Sequence, residues 1–289
     1  ILTEGAKSYG ILAQSIGGGG GSGSSVISIQ AGVVTKESII AGFSLGGVGG
    51  DGNSAGAVDV ENTGVIYTQG ADAYGILAQS VGGGGGNGGL SILANAVVNP
   101  ELAVPGQPTA LASVGGFGGD GGAGGKVTVN NSGTILTEGA NAHGIVAQSI
   151  GGGGGNANFG FAMGVSETGL ASAAISNTAA FALGNLGGGS GGLGGEVVVN
   201  HSGDITVLGD GAVAIKAESI NGGGGSLALD LAGIIGLPGA PYVSKIGIEP
   251  KEEPVIAVRV GAQKATSMNA SKVTVNTTAF SNVADLPLS

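Results

Sequence analysis

One phrase is written four times along this chain, and a fixed period limits what the chain can become more than any other feature. Tyr9 to Ile16 (Tyr-Gly-Ile-Leu-Ala-Gln-Ser-Ile) runs into Gly17–Gly21, and Tyr74 to Val81 runs into Gly82–Gly86. His143 to Ile150 runs into Gly151–Gly155; Val213 to Ile220 runs, after Asn221, into Gly222–Gly225. The equivalent residues Gln14, Gln79, Gln148 and Glu218 stand 65, 69 and 70 residues apart. Self-similarity of this kind marks units that cannot bury an apolar face alone and therefore stack on one another.

A second phrase precedes the first. Val58-Asp59-Val60-Glu61-Asn62-Thr63-Gly64, Val127-Thr128-Val129-Asn130-Asn131-Ser132-Gly133 and Val197-Val198-Val199-Asn200-His201-Ser202-Gly203 share one pattern, and Val273 to Thr278 is a worn fourth copy. Valine alternating with polar residues predicts a short, half-buried strand. Asn-(Ser/Thr)-Gly predicts the turn, because both end residues tolerate positive φ. A second strand follows (Thr134 to Thr137), Gly139 is expected to turn it, and Gly-Ile-x-Ala-Gln-Ser comes third.

Short strands separated by small polar turns predict an all-β chain, a right-handed parallel β-helix or β-solenoid of Gly-rich repeats. At roughly 20–25 residues per coil each repeat makes about three coils, and about 12–13 coils at about 4.8 Å each make a rod roughly 60 Å long. A β-propeller is the competing periodic fold, but hairpin signals are weak. Residues 1–225 form the repeat array and residues 226–289 a divergent last repeat with a Pro-rich insertion, Pro238 to Pro254. A further Pro-rich excursion spans 100–108. Ile1 to Gly5 aligns with Ile66 to Gly70 and Ile135 to Gly139, so the chain is expected to be a fragment that starts inside a repeat, with targeting signals outside it.

Comparing copies gives the third strand two faces. Ile11, Ile76, Ile145 and Ile215 form one column, Ala13, Ala78, Ala147 and Ala217 the next, and Ser15, Ser80, Ser149 and Ser219 a third; none is ever charged. The Ile and Ala columns are the expected core ladder. The alternate columns do change character: Leu12, Leu77 and Val146 align with Lys216, and Gln14, Gln79 and Gln148 with Glu218. Alternation puts these on the opposite face. Leu12, Gln14, Leu77, Gln79, Val146 and Gln148 are therefore the outer-face interaction candidates, expected to be covered by another layer such as a glycine-rich segment or a neighbouring molecule. Because Lys216 occupies that column, Leu77→Lys is expected to be tolerated.

Composition narrows the function classes. Glycine (66 residues) and proline (8) approach the level of disordered chains, yet 42% of residues are hydrophobic and only 10% charged, the reverse of a disordered balance. A net charge of −10, with only nine Lys and Arg, argues against nucleic acid as a partner. The absence of cysteine excludes disulfides, thiolate metal sites and cysteine nucleophiles. No apolar run reaches the 18 residues of a candidate membrane helix.

Motifs for chemistry are sparse. The glycine runs lack the Lys-Ser/Thr and the βαβ context of a phosphate cradle. Gly-Gly-Asp-Gly at Asp51 and Asp120 is a weak calcium candidate: the nonapeptide calcium site needs tandem aspartates, and here each repeat supplies one. His143 shares the column of Tyr9 and Tyr74, and His201 that of Asn62 and Asn131, so both are variants at repeated positions. No catalytic residue, cofactor or metal is assigned, and no enzyme is expected. A polysaccharide-active β-helix enzyme is the alternative, since acids distant in sequence can converge on adjacent coils.

The combined phrases Gly-Ala-x-(Ala/Ser)-(Tyr/His)-Gly-Ile-x-Ala-Gln-Ser-(Ile/Val)-Gly₅ and Val-x-Val-x-Asn-(Ser/Thr)-Gly-x-Ile resemble passenger repeats of autotransporter-type (type V secretion) surface adhesins of Gram-negative bacteria. The resemblance covers residues 1–225. It implies a β-helical passenger at the cell surface, held by an outer-membrane barrel outside this sequence, acting in adhesion, aggregation or biofilm formation. The expected partners are a host or neighbouring-cell surface, or self-association. A self-assembling extracellular filament is the alternative within the structural class.

Overall fold

The computed structural model describes residues 1–33, 40–99, 109–168, 178–183, 187–226, 231–236, 256–260 and 271–277. Both Pro-rich excursions, 100–108 and 238–254, lie outside the described residues. The described chain is all-β, without a helix, and its strands form five four-stranded sheets in which every pairing is parallel.

Each repeat gives one strand to each sheet. The first sheet holds β1 (Leu2–Thr3), β6 (Ile66–Thr68), β11 (Ile135–Thr137) and β16 (Ile205–Val207). The second holds β2 (Ile11–Ile16), β7 (Ile76–Val81), β12 (Ile145–Ile150) and β17 (Ile215–Ile220). The third holds β3 (Val26–Val33), β8 (Ser91–Asn99), β13 (Gly160–Thr168) and β18 (Leu231–Gly236). The fourth holds β4 (Ile40–Leu45), β9 (Thr109–Val114), β14 (Thr178–Leu183) and β19 (Ile256–Val260). The fifth holds β5 (Val58–Asn62), β10 (Val127–Asn131), β15 (Val197–His201) and β20 (Val273–Thr277).

This topology corrects the expected coil. A strand pairs with its equivalent one whole repeat away, as Ile11 does with Ile76, Ile76 with Ile145 and Ile145 with Ile215. One repeat is thus one layer with five strands, not three coils. Four layers at about 4.8 Å rise no more than about 20 Å, not 60 Å. The short strands lie where the side-chain patterns predict them; the difference comes from the glycine run, which lets the chain travel far between strands before it returns to the stack.

Those runs are themselves ordered. The amides of Gly17, Gly20 and Gly23 donate to the carbonyls of Val81, Gly84 and Asn87 in the next repeat at 2.7–2.8 Å. Gly47, Gly50 and Asn53 donate to Ser24, Gly21 and Gly18, so the segments after β2 and after β4 run antiparallel and bond to each other. Gly83, Gly86 and Gly89 donate to Asn53, Gly50 and Gly47, which links that pair to the following repeat. The bonds recur every third residue, the period of an extended three-residue-per-turn helix without internal hydrogen bonds. Two residues in three are packed backbone to backbone: a Cβ on Gly85 would fall on the carbonyl of Gly119, and one on Gly152 on that of Gly83. The third position faces out. A Cβ on Gly84 would lie 3.6 Å from its nearest neighbour, and at the same phase stand Val48, Asp51 and Ser54, or Phe117, Asp120 and Ala123.

The glycine layer separates two cores. Between the first, second and fifth sheets, Val58, Val60, Ile66, Ile76, Ala78, Val127, Val129, Ile135, Ile145, Ala147, Val197 and Val199 form one cluster. A smaller cluster of Leu93, Leu111 and Ala162 lies between the third and fourth sheets. Serine fits the larger core because its hydroxyl is used. Ser80 Oγ donates to Gly56 O (2.8 Å) and accepts from Gly125 N (2.7 Å), and Ser149 repeats this with Gly125 and Gly195.

The turn between the first and second sheets differs in detail from its expected form. Its left-handed residue is Lys7, Asp72, Asn141 or Gly211, at φ of 56°, 53°, 54° and 72°, two residues beyond the glycine expected to make it. Gly139 is needed for another reason: a Cβ there would strike Gly70 O. Thr68 and Thr137 close the turn by donating to Ala73 O and Ala142 O at 2.6 and 2.5 Å.

Candidate functional site: the side-chain ladders and the asparagine groove

The second sheet brings the expected outer-face residues into two columns. Gln14 Nε2 donates to Gln79 Oε1, Gln79 Nε2 to Gln148 Oε1 and Gln148 Nε2 to Glu218 Oε2, each at 2.6 Å. Each of these glutamines commits one N–H to the ladder. Glu218 ends the ladder and meets Lys216 Nζ at 3.3 Å. In the other column Leu12 is 52% exposed, but Leu77 and Val146 are only 5% and 3% exposed within the single chain. This burial agrees with the expectation that the face is covered and argues against the tolerance expected for Leu77→Lys. Lys216 is accommodated because β17 is the last strand of its sheet and leaves one side open. The core ladder sits in register: Ile76, Ile145, Ala78 and Ala147 are fully buried, while Ile11, Ala13, Ile215 and Ala217 are partly buried against the same cluster.

Both histidines lie in ladders. Tyr9, Tyr74 and His143 stack with ring centroids 5.1 and 5.0 Å apart. His143 Nδ1 accepts the amide of Val213 at 3.0 Å. Burial, and then the charge of Lys216, hold its pKa below the usual histidine value against the opposing pull of Asp72. His201 is 5% exposed, and its Nδ1 lies 2.9 Å from Asn131 Nδ2. An amide nitrogen only donates, so Nδ1 accepts and the proton sits on Nε2. Asn62 Nδ2 donates in turn to Asn131 Oδ1 at 2.6 Å.

Each of the two calcium candidates accepts a backbone amide. Asp51 Oδ1 accepts the amide of Asp120 (2.8 Å), and Asp120 Oδ1 the amide of Ser190 (2.7 Å). Asn87 and Asn156 do the same for the amides of Asn156 and Ser226. Where an outward position of the glycine segments carries Asp or Asn, its side chain accepts the third amide of the triplet one layer away. The signal was present as Gly-Gly-X spacing. No cluster of three metal-binding side chains occurs among the described residues.

A concave surface of about 420 Å³ lies at the corner after the fifth sheet. Glu61, Asn130, Ser132, Asn200, Ser202 and His201 line it, with Asn276 at one end. Asn276 Nδ2 donates to Asn200 Oδ1 and Asn200 Nδ2 to Asn130 Oδ1, both at 2.8 Å, outside the buried Asn62–Asn131–His201 ladder. Sequence reading missed this outer asparagine column, although its copies align. Its acid and its imidazole are not paired: β10 lies between the strands of Glu61 and His201, which are about 9–10 Å apart.

No helix among the described residues is long and apolar enough to cross a membrane. No family model, curated protein or solved structure matches this chain.

Proposed function

We propose that this chain is a stiff structural segment of a large bacterial cell-surface protein, a right-handed parallel β-helix that holds binding surfaces away from the membrane for adhesion, aggregation or biofilm formation. The observation that carries it is the repetition of five parallel ladders in register through four repeats, reinforced by Gln, Asn, Ser and aromatic columns. Parallel crossovers are right-handed in about 98% of cases, which supports the hand of the helix. A non-catalytic role is supported by the placement of both histidines in ladders.

Two experiments test this reading. Sequencing the gene downstream is expected to find an outer-membrane β-barrel. Cells displaying the parent protein are expected to lose surface attachment or aggregation when residues 1–226 are deleted in frame. Unchanged attachment and aggregation would remove the adhesive role.

A further inference from the structure

We propose that Asn130, and after it Asn200, are acceptors for an N-linked sugar. Three copies of the corner read Asn-x-(Ser/Thr): Asn130-Asn131-Ser132, Asn200-His201-Ser202 and Asn276-Thr277-Thr278. This tripeptide is a surface acceptor signal only where the asparagine is accessible. The fold meets that condition at the same place in each layer. Asn130, Asn200 and Asn276 are exposed at the strand end, and Ser132 and Ser202 are exposed in the turn that follows. Between them Asn131 and His201 are buried and bonded to each other, which fixes the backbone and leaves the acceptor amide and the hydroxyl both outside.

The amides retain unused donors. Asn200 and Asn276 each commit one N–H to the column, and Asn130 Nδ2 donates to no group among the described residues. An amide nitrogen carries two hydrogens, so Asn200 can be conjugated with its ladder bond kept, and Asn130 with nothing lost. The hydroxyls of Ser132 and Ser202 likewise have no partner among the described residues. Folding does not require asparagine here, because Glu61 occupies the same column in the first copy. Adjacent strands are about 4.8 Å apart, too close for two bulky groups to spread freely, so Asn130 is filled first.

The donor is a sugar activated as an anomeric phosphate or diphosphate ester. Asn130 Nδ2 forms a bond to the anomeric carbon and the anomeric C–O bond breaks. The phosphate ester leaves with the electron pair, and one Nδ2 proton passes to a base of the transferring enzyme. This acceptor role stands apart from the stalk reading and does not depend on it.

Peptide mapping by mass spectrometry of the full-length protein, recovered from the cells that naturally make it, tests the assignment. Sugar mass on Asn130 is expected in the wild type, lost from that residue in both N130Q and S132A, with far-UV circular dichroism unchanged. Unmodified Asn130 in the wild type would overturn the proposal. So would sugar that maps to Ser132 or Ser202 in N130Q, which would place it on a hydroxyl.

Discussion

Ile145 and Gly152 lie on either side of one strand exit, and each meets its neighbouring layers by a different means. Ile145 stacks on Ile76 and Ile215 in a cluster of apolar side chains, fully buried. Gly152 has no side chain to stack; its amide donates to Gly122 O and its Cα lies against the carbonyl of Gly83. The strand walls are held by buried apolar area, which tolerates a change of shape at moderate cost. The glycine layer is held by hydrogen bonds between closely approaching backbones, which tolerates almost nothing at two positions in three and nearly anything at the third. Glycine richness is therefore not looseness in this chain. It is a second, side-chain-free way of stacking.

The difference can be broken from either side. The largest effect is expected from Ile145→Asp, which buries an unpaired carboxylate: the cooperative thermal transition should disappear. Next comes Leu77→Lys, which loses about 2–5 kcal/mol of leucine packing before the ammonium is counted, read as a lowered urea midpoint. A melt like that of the wild type would show that this face is open after all.

Within the glycine layer a matched pair gives the sharpest test. Gly85→Ala should cost about 1–3 kcal/mol because the methyl meets the Gly119 carbonyl and only a backbone shift relieves it. Gly84→Ala, one residue earlier, should stay within about 0.5 kcal/mol. Equal effects would mean that the period of three is wrong. Between those two falls Gln79→Ala, expected at about 1 kcal/mol for two lost ladder bonds on a part-buried face.

The smallest effect is a pH dependence. The folded state holds His143 below its ordinary pKa, so the unfolded chain binds more protons as pH falls through and below about 6.5. Stability present above that value should decline from pH 7.5 to pH 5. His143→Tyr, which restores the residue of the two earlier copies, should flatten that part of the profile. An unchanged slope would remove His143 as its source.

Strands and registers were legible because they are written in side chains. Aligning Gln14 with Gln79 and Gln148 already names the pairs of the second sheet. Layer size was not legible, because it depends on where the chain goes between β2 and β5, and glycine has no pattern of hydrophobicity to follow. Its pattern is one of interruptions: Val48, Asp51 and Ser54 fall at every third place, which is a structural period although it resembles a calcium loop. The cost of Leu77→Lys was not legible for a related reason. Lys216 showed what an edge strand accepts, and an interior strand of the same column accepts less. The asparagine column escaped notice because turn chemistry explained its residues one at a time.

The triplet in the glycine layer also has a consequence in time. Of each three amides, one is bonded to the next layer and one to the facing segment. The third is bonded only where an Asp, Asn or Ser side chain reaches it, as at Asp120 and Asn156. At Gly84 and Gly153 no such acceptor exists among the described residues. In heavy water these two amides should exchange early while Gly83, Gly85, Gly152 and Gly154 hold their protons until the layers part. A stretch of sequence with almost no variation in composition would then carry a clock with a beat of three.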